Sequence, residues 1–190
     1  MFDIVSVLQQ TGVVLSLHYS PGQTEDVIRA WLPGFSRYCR QSGDGLGVRM
    51  QRSFESEFSA GADEVLLVGS DVPQLSGRLL SQAFQRLQAG EAVLGPTEDG
   101  GYYLIGMRRE GYLPQVFEGI LWSSSSVLQD TMDRFSEHGQ SCALIRRLRD
   151  VDTLEDLRRL WSRKEEVLGH CRFTPASLTR FFKPENGRDG

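Results

Sequence analysis

The 190-residue chain has few of the features that mark membrane, secreted or disulfide-bonded proteins. No apolar run approaches the roughly 18 residues that a membrane-spanning helix needs. Residues 1–5, MFDIV, lack the basic region that begins a secretory signal. The three cysteines, Cys39, Cys142 and Cys171, are far apart and not in C-x-x-C spacing, so neither a disulfide framework nor a cysteine zinc site is indicated. These absences favour a reduced, cytoplasmic protein.

Lysine is also scarce, since Lys164 and Lys183 are the only two and arginine supplies every earlier basic residue. The net charge of −4, from 21 basic and 25 acidic residues, argues against nucleic acid as the main partner. An arginine fork suits bidentate binding of phosphate, but a genome rich in G and C would also favour arginine codons. His18, His138 and His170 lie apart without ligand spacing, so we expect surface or capping roles for them.

What the chain does contain is an alternation of apolar runs and amphipathic helical stripes. The stripes predict helices at residues 2–9, 24–31, 46–58, 79–87, 127–135 and 154–161, and the runs predict strands at residues 13–17, 65–68, 92–94, 102–105 and 142–145. The run at 65–68 does not alternate, which is typical of a strand covered on both faces in a parallel sheet. The pattern predicts an α/β three-layer sandwich with a mostly parallel sheet over residues 1–161, and a C-terminal extension over 162–190 that is partly helical and then frayed.

Sheets of this kind bind ligands at the carboxyl ends of their strands, and three polar loops follow predicted strands. In the first, residues 69–73, Asp71 comes directly after the buried strand and could hold a divalent cation such as Mg²⁺. The alternative is that Asp71 makes an Asx turn before Pro73. The residues themselves leave both readings open.

The second loop, residues 96–101, places two acids and two glycines between two strands. Gly100 and Gly101 allow close approach of the backbone to a ligand, and Asp99 or Glu98 could bind a sugar hydroxyl or act as a base. A simple hairpin turn explains the same residues. The tyrosines that follow the loop are more typical of core and sheet-face positions than of a stacking platform.

The third loop, residues 149–157, joins the last strand to the last helix. Asp152 or Thr153 could cap this helix with an acid three residues later, which is a capping box. In the functional alternative, Asp152 faces Asp71 across the crevice as a second metal ligand.

Four motifs in this order resemble a known family: residues 69–73 (GSDVP), 95–106 (GPTEDGGYYLIG), 122–123 (WS) and 149–157 (RDVDTLEDL). Over residues 1–161 the chain resembles the bacterial GT-A-type glycosyltransferases often associated with arsenosugar biosynthesis. That family is related to 2-phospho-lactate and molybdenum-cofactor guanylyltransferases. The resemblance implies the nucleotide-diphospho-sugar transferase fold and a nucleotide bound with Mg²⁺ or Mn²⁺.

The resemblance also implies roles for single residues. The metal ligands would be Asp71 and Asp152. The candidate catalytic carboxylates are Asp99 and Glu98, with Asp99 the best candidate base if the reaction inverts. The nucleotide would lie near residues 41–49 (QSGDGLGVR) and the first loop, with contacts from Gly43, Gly45, Gly47, Arg49, Gly69 and Ser70. Substrate contacts would come from Gly100, Gly101, Tyr102, Trp122 and Ser123.

One departure from the family concerns the start of the chain. Family members begin with a strand and a Lys/Arg-rich loop that grips phosphates, whereas nothing before Thr11 supplies a strand, a glycine or a basic residue, and the first arginine is Arg29. The fold is therefore expected to lack its first strand. Either the true start lies upstream, or the protein is a degraded relative held together differently, for example by another chain.

The leading functional hypothesis is metal-dependent glycosyl transfer from a nucleotide-diphospho-sugar to a small-molecule acceptor. The first alternative is nucleotidyl transfer from a nucleoside triphosphate with release of pyrophosphate. The second is a catalytically silent binding or scaffold protein, because the phosphate loop is missing. Aromatic residues near the end of the chain are also compatible with a homo-oligomer.

Overall fold

The computed structural model describes residues 2–163, in which helices and strands alternate. The helices are α1 (Phe2–Gln9), α2 (Glu25–Trp31), α3 (Leu46–Ser59), α4 (Gly77–Gln88), α5 (Val127–Glu137) and α6 (Leu154–Ser162), with a 3₁₀ turn at Pro114–Phe117. The strands are β1 (Ser16–Tyr19), β2 (Arg37–Arg40), β3 (Glu64–Val68), β4 (Ala92–Pro96), β5 (Tyr102–Arg108) and β6 (Cys142–Leu144). The predicted α/β class is confirmed, and the predicted extension beyond residue 163 lies outside the described residues.

The larger sheet has four strands in the order β3-β5-β4-β6. β4 and β6 are parallel, but β5 runs antiparallel to both of its neighbours. The expectation of parallel neighbours for the strand at 65–68 was therefore wrong. The connection from β4 to β5, residues 97–101, is too short for a parallel crossover, which takes a dozen or more residues. Packing on both faces still explains the continuous apolar run, since Leu66 and Val68 lie against one core cluster and Val65 and Leu67 against the other, although only Val65 is fully buried.

A second sheet contains only β1 and β2, which are parallel. Within residues 2–163, the outer strands of the two sheets, β1, β2, β3 and β6, each have one edge without a strand partner. β1 begins at Ser16 rather than at the predicted Val13, and Val14 is 78% exposed.

The core lies on both faces of the four-stranded sheet, because successive residues of a strand point to opposite faces. Val93 and Leu104 pack with α1 and α4 on one face. Leu94 and Ile105 pack with α3, α5 and the 3₁₀ turn on the other face. The layers are therefore helix, sheet and helix. No helix in the described part of the chain is long and apolar enough to cross a membrane.

Candidate active site

The three predicted loops meet at one edge of the larger sheet. β3, β4 and β6 point in the same direction, because β5 is antiparallel to β3 and β4 while β4 and β6 are parallel. The backbone N–H of Val151 donates to the carbonyl of Asp71 at 3.0 Å, and the N–H of Leu148 donates to the carbonyl of Pro96 at 3.0 Å. These bonds place the third loop against both of the others.

Acidic side chains from all three loops lie close enough to act on the ionisation of Asp150. Burial raises the pKa of Asp150 above its ordinary value of 3.8, and the negative charges of Asp99, Asp152 and Asp71 raise it further. Oxygen ligands on several carboxylates suit a hard divalent cation, whose charge would offset this repulsion. Carboxylate oxygens are the donor type that Mg²⁺ or Mn²⁺ takes, but among the described residues no three of these acids place their oxygens within 4.8 Å of one another. A metal ion here stays a prediction.

The second loop is a hairpin turn that also presents a free carboxylate oxygen. The N–H of Thr97 donates to the carbonyl of Gly101 at 3.0 Å. Asp99 Oδ1 accepts bonds from Thr97 Oγ1 at 2.5 Å and from the N–H of Gly101 at 3.0 Å. Among the described residues, Asp99 Oδ2 has no hydrogen-bond donor. The hairpin interpretation is confirmed, and it leaves Asp99 Oδ2 available for the site interpretation, which stays a prediction.

Gly100 fixes this loop against the segment before α5. Its φ is +97°, and a Cβ at this position would lie 2.1 Å from the carbonyl oxygen of Ser125. Its own carbonyl accepts from the N–H of Leu128 at 2.8 Å. In the same segment Ser123 has a φ of 74°, the one left-handed conformation among the described residues other than glycine. Strain of this kind persists where surrounding contacts enforce it, and it clusters at functional sites.

Trp122 connects the second loop to the glycine-rich loop. A Cβ on Gly47 would lie 2.6 Å from the Trp122 indole nitrogen, so the ring lies directly against this glycine. The rings of Trp122 and Tyr102 meet edge to face with centroids 6.4 Å apart. Gly43 and Gly45 take φ values of 108° and 87°, which favour glycine. Residues predicted to touch nucleotide and substrate therefore lie side by side.

Two predicted site residues form contacts within the protein. Glu98 forms an ion pair with Arg149, which also lies 3.7 Å from Asp156. Arg49 Nε donates to the carbonyl of Gly43 at 3.2 Å, which stabilises the glycine-rich loop. Their roles toward a ligand stay predictions.

The remaining predicted contacts differ in exposure. The Tyr102 hydroxyl is buried near Thr131, and it makes no hydrogen bond of normal geometry with the described residues. This placement fits the expected core position. Gly69 donates its N–H to the carbonyl of Tyr103 at 2.8 Å, and Ser70 is exposed beside it.

With this geometry established, residues 4–124 match the sequence model of a bacterial family described as "Uncharacterized protein conserved in bacteria (DUF2064)". The chain belongs to the DUF2064 family. The matched region of this DUF2064 chain contains the first two loops and Trp122, while the third loop with Asp150 and Asp152 lies beyond it.

The DUF2064 chain is also similar to a crystal structure of a "putative nucleotide-diphospho-sugar transferase from Desulfovibrio desulfuricans G20". The TM-score is 0.88 at 32% sequence identity, and the match covers 94% of this chain and 78% of the other. No curated protein matches the DUF2064 chain. The predicted relationships to arsenosugar biosynthesis and to guanylyltransferases stay predictions.

Sequence reasoning gave no role to one acid of the DUF2064 chain that lies near the predicted site residues. Asp150 was part of the third motif, but no role was predicted for it. The sequence signal that could have identified Asp150 is its spacing of two residues from Asp152. In an extended segment, alternate residues point to the same side, so this spacing would have placed the two carboxylates together.

The expected surface or capping role for histidines holds for one of two described cases. His138 Nδ1 lies 2.8 Å from the carbonyl of Arg134 at the end of α5, as capping predicts. His18 is different, since its side chain is 13% exposed and its Nε2 lies 2.8 Å from Glu57 Oε1. His170 lies outside the described residues.

Proposed function

We propose that this chain is a metal-dependent transferase that transfers a glycosyl group from a nucleotide-diphospho-sugar to a small-molecule acceptor. The observation that carries the proposal is the convergence of three acidic loops at the carboxyl edge of the sheet, where backbone hydrogen bonds join Val151 to Asp71 and Leu148 to Pro96 and an ion pair joins Arg149 to Glu98. The similarity to a structure described as a nucleotide-diphospho-sugar transferase supports the substrate class.

Asp71 and Asp152 would hold the cation, with Asp150 close by. A local finding supports the role of Asp152. The capping box of α6 uses Thr153 and Asp156, because Thr153 Oγ1 accepts from the N–H of Asp156 at 3.2 Å and Asp156 Oδ2 accepts from the N–H of Thr153 at 3.1 Å. The cap therefore does not need Asp152, whose side chain is exposed beside the other acids.

In the proposed reaction, an acceptor oxygen forms a bond to the anomeric carbon while the bond from that carbon to the diphosphate oxygen breaks. The cation, when bound, neutralises the departing nucleoside diphosphate. Asp99 Oδ2 would take the acceptor proton, because Oδ1 is already fixed by Thr97 and Gly101. The side-chain position of Gly100 is filled by the Ser125 carbonyl, and that of Gly101 lies against Thr97 and Asp99, so sugar contacts at these two glycines would come from their backbone.

The proposed nucleotide contacts lie at the start of α3. Gly45 is its N-cap and offers no side-chain acceptor, and the first turn contains no acid. Free backbone N–H groups at a helix N-terminus favour phosphate oxygens. Gly43, Gly47 and Arg49 shape this loop, as described above.

We further propose that the fold is GT-A-like and lacks its first strand. The unpaired edges of β1 and β3 within the described residues support this, since a strand between them would join the two sheets. A cytoplasmic location and a homo-oligomer stay predictions.

Product analysis tests the proposal. The full chain is incubated with UDP- or GDP-sugars, Mn²⁺ and a pool of hydroxylated acceptors, and the products are separated by chromatography. Release of a nucleoside diphosphate that falls sharply in Asp99→Asn, but not in the exposed-acid control Asp133→Asn, is the expected result. Release of pyrophosphate from a nucleoside triphosphate would instead establish nucleotidyl transfer, and no turnover of either kind would favour the silent alternative.

A further inference from the structure

A second cluster of potential metal ligands lies away from the acidic loops, between the small sheet and α3. The parallel register pairs Ser16 with Arg37 and His18 with Cys39. Alternate residues of a strand share a face, so all four side chains belong to one face of this sheet. Contacts from Ser16, His18 and Arg37 to Glu57 of α3 show that this face is turned toward the helix.

The Glu57 carboxylate divides its two oxygens between different partners. Oε2 accepts from Ser16 Oγ at 2.9 Å and from Arg37 Nη1 at 2.9 Å. Oε1 lies 2.8 Å from His18 Nε2. A ring nitrogen of His18, Cys39 Sγ and a carboxylate oxygen of Glu57 all lie within 4.8 Å of one another. Arg37 therefore orients the carboxylate through Oε2, while Oε1 remains directed at the histidine.

This composition is unusual for a contact between a helix and a sheet, which ordinarily buries apolar side chains. The side chains of His18 and Glu57 are each only 13% exposed. Imidazole, thiolate and carboxylate together are the ligands that Zn²⁺ prefers, whereas Mg²⁺ takes oxygen alone. The cluster thus differs in chemistry from the acidic loops.

We propose that His18, Cys39 and Glu57 Oε1 bind one Zn²⁺, with the fourth position open to water. Zn–N and Zn–O bonds of about 2.0–2.2 Å in a tetrahedron separate nitrogen and oxygen by about 3.3 Å. The 2.8 Å contact between His18 and Glu57 would need to widen by only a few tenths of an ångström. The ion would link β1, β2 and α3 independently of the proposed transferase activity.

Cobalt spectroscopy tests this site without any activity measurement. A charge-transfer band from thiolate to Co²⁺ arises only when the sulfur is bound to the metal. Together with visible bands of tetrahedral Co²⁺, this band would report a coordinated cysteine. Metal-free full chain, carrying Cys171→Ser in every sample, is titrated with Co²⁺ and then with Zn²⁺.

The matched variants are Cys39→Ser and Cys142→Ser. Both replace a partly buried free cysteine by its oxygen counterpart, but Cys142 is not in the cluster. The expected result is one Co²⁺ per chain with the thiolate band, displaced by Zn²⁺, in the parent and in Cys142→Ser. Cys39→Ser should lack the band and should bind Zn²⁺ at least about 100-fold more weakly in competition with a chelator. Even the replacement of a residue that only hydrogen-bonds to a metal ligand lowers metal affinity about 10–100-fold.

A second variant, His18→Gln, should also weaken Zn²⁺ binding. Far-UV circular dichroism and thermal unfolding in a chelator confirm that each variant is folded. The proposal is overturned if the parent shows no thiolate band, or if the band persists in folded Cys39→Ser. Either result would mean that the cluster is only a hydrogen-bonded network around Glu57.

Discussion

Replacing Gly100 with alanine is the substitution that most directly tests how the acidic hairpin is held. The new methyl group would lie 2.1 Å from the Ser125 carbonyl oxygen, and the φ of this residue is +97°. Cβ atoms essentially never approach within 3.0 Å of other heavy atoms, so backbone must shift by nearly an ångström. Because that backbone includes both the hairpin and the segment before α5, the change should disturb the candidate site as well as the fold.

The expected loss in the free energy of unfolding of Gly100→Ala has two parts. Placing alanine in the left-handed region costs about 1–2 kcal/mol. Crowding of a well-packed position adds about 1–3 kcal/mol. The sum predicts a loss of about 2–5 kcal/mol in the free energy of unfolding. Gly90→Ala is the matched control, since its φ is +85° but a Cβ there would meet nothing within 4 Å. Gly90→Ala should therefore lose only the roughly 1–2 kcal/mol that alanine costs in the left-handed region.

Urea unfolding of the two variants and the parent measures the difference, with thermal melting as a second readout. Each kcal/mol should lower the melting temperature by about 2–4 °C for a chain of this size. Gly100→Ala should be less stable than Gly90→Ala by about 1–3 kcal/mol at an unchanged slope with urea. Equal losses in the two variants would refute the contact between Gly100 and Ser125.

Two further predictions concern the loop acids and the open strand edge. Asp150→Asn should be more stable than the parent at pH 7, because the raised pKa of Asp150 means that its ionised form is unfavourable in the folded protein. This gain in stability should shrink as the pH falls toward 3.8, the ordinary pKa of the group, because Asp150 then becomes protonated. The gain should also shrink when Mg²⁺ is added. Thermal unfolding across pH measures this, and a loss of stability at pH 7 would contradict it. In hydrogen exchange, Val65 and Leu67 should be protected, since the register directs their N–H groups to β5, whereas Leu66 and Val68 should exchange rapidly at the free edge of β3. Equal protection of all four would mean that this edge is covered.

The sequence predicted the elements whose local pattern agrees with their surroundings. In α4 four of the five apolar positions of the helical stripe, Leu79, Leu80, Ala83 and Leu87, are buried, and the fifth, Phe84, is partly buried against the same core. The order and position of the three site loops also followed from the strands before them. These features depend on periodicity and on turn residues, which are local properties.

Other features depend on which elements become neighbours, and local patterns do not specify this. In α2 only Ile28 is buried, while Val27 is 54% and Trp31 65% exposed, because the small sheet does not bring a covering layer to that face. The cluster of His18, Cys39 and Glu57 is created by the register of β1 with β2 and by the packing of α3. Residues so far apart in sequence give no spacing signal.

The central claim, that the acidic loops bind a nucleotide-sugar through a divalent cation, is tested most directly by isothermal titration calorimetry. The full chain is titrated with UDP- and GDP-sugars in the presence of Mn²⁺ or Mg²⁺ and again in a chelator, together with Asp71→Asn and the control Asp133→Asn. The account predicts binding that requires the cation, is lost in Asp71→Asn and is retained in Asp133→Asn. Absence of binding under all of these conditions, or equal binding by Asp71→Asn, would contradict it.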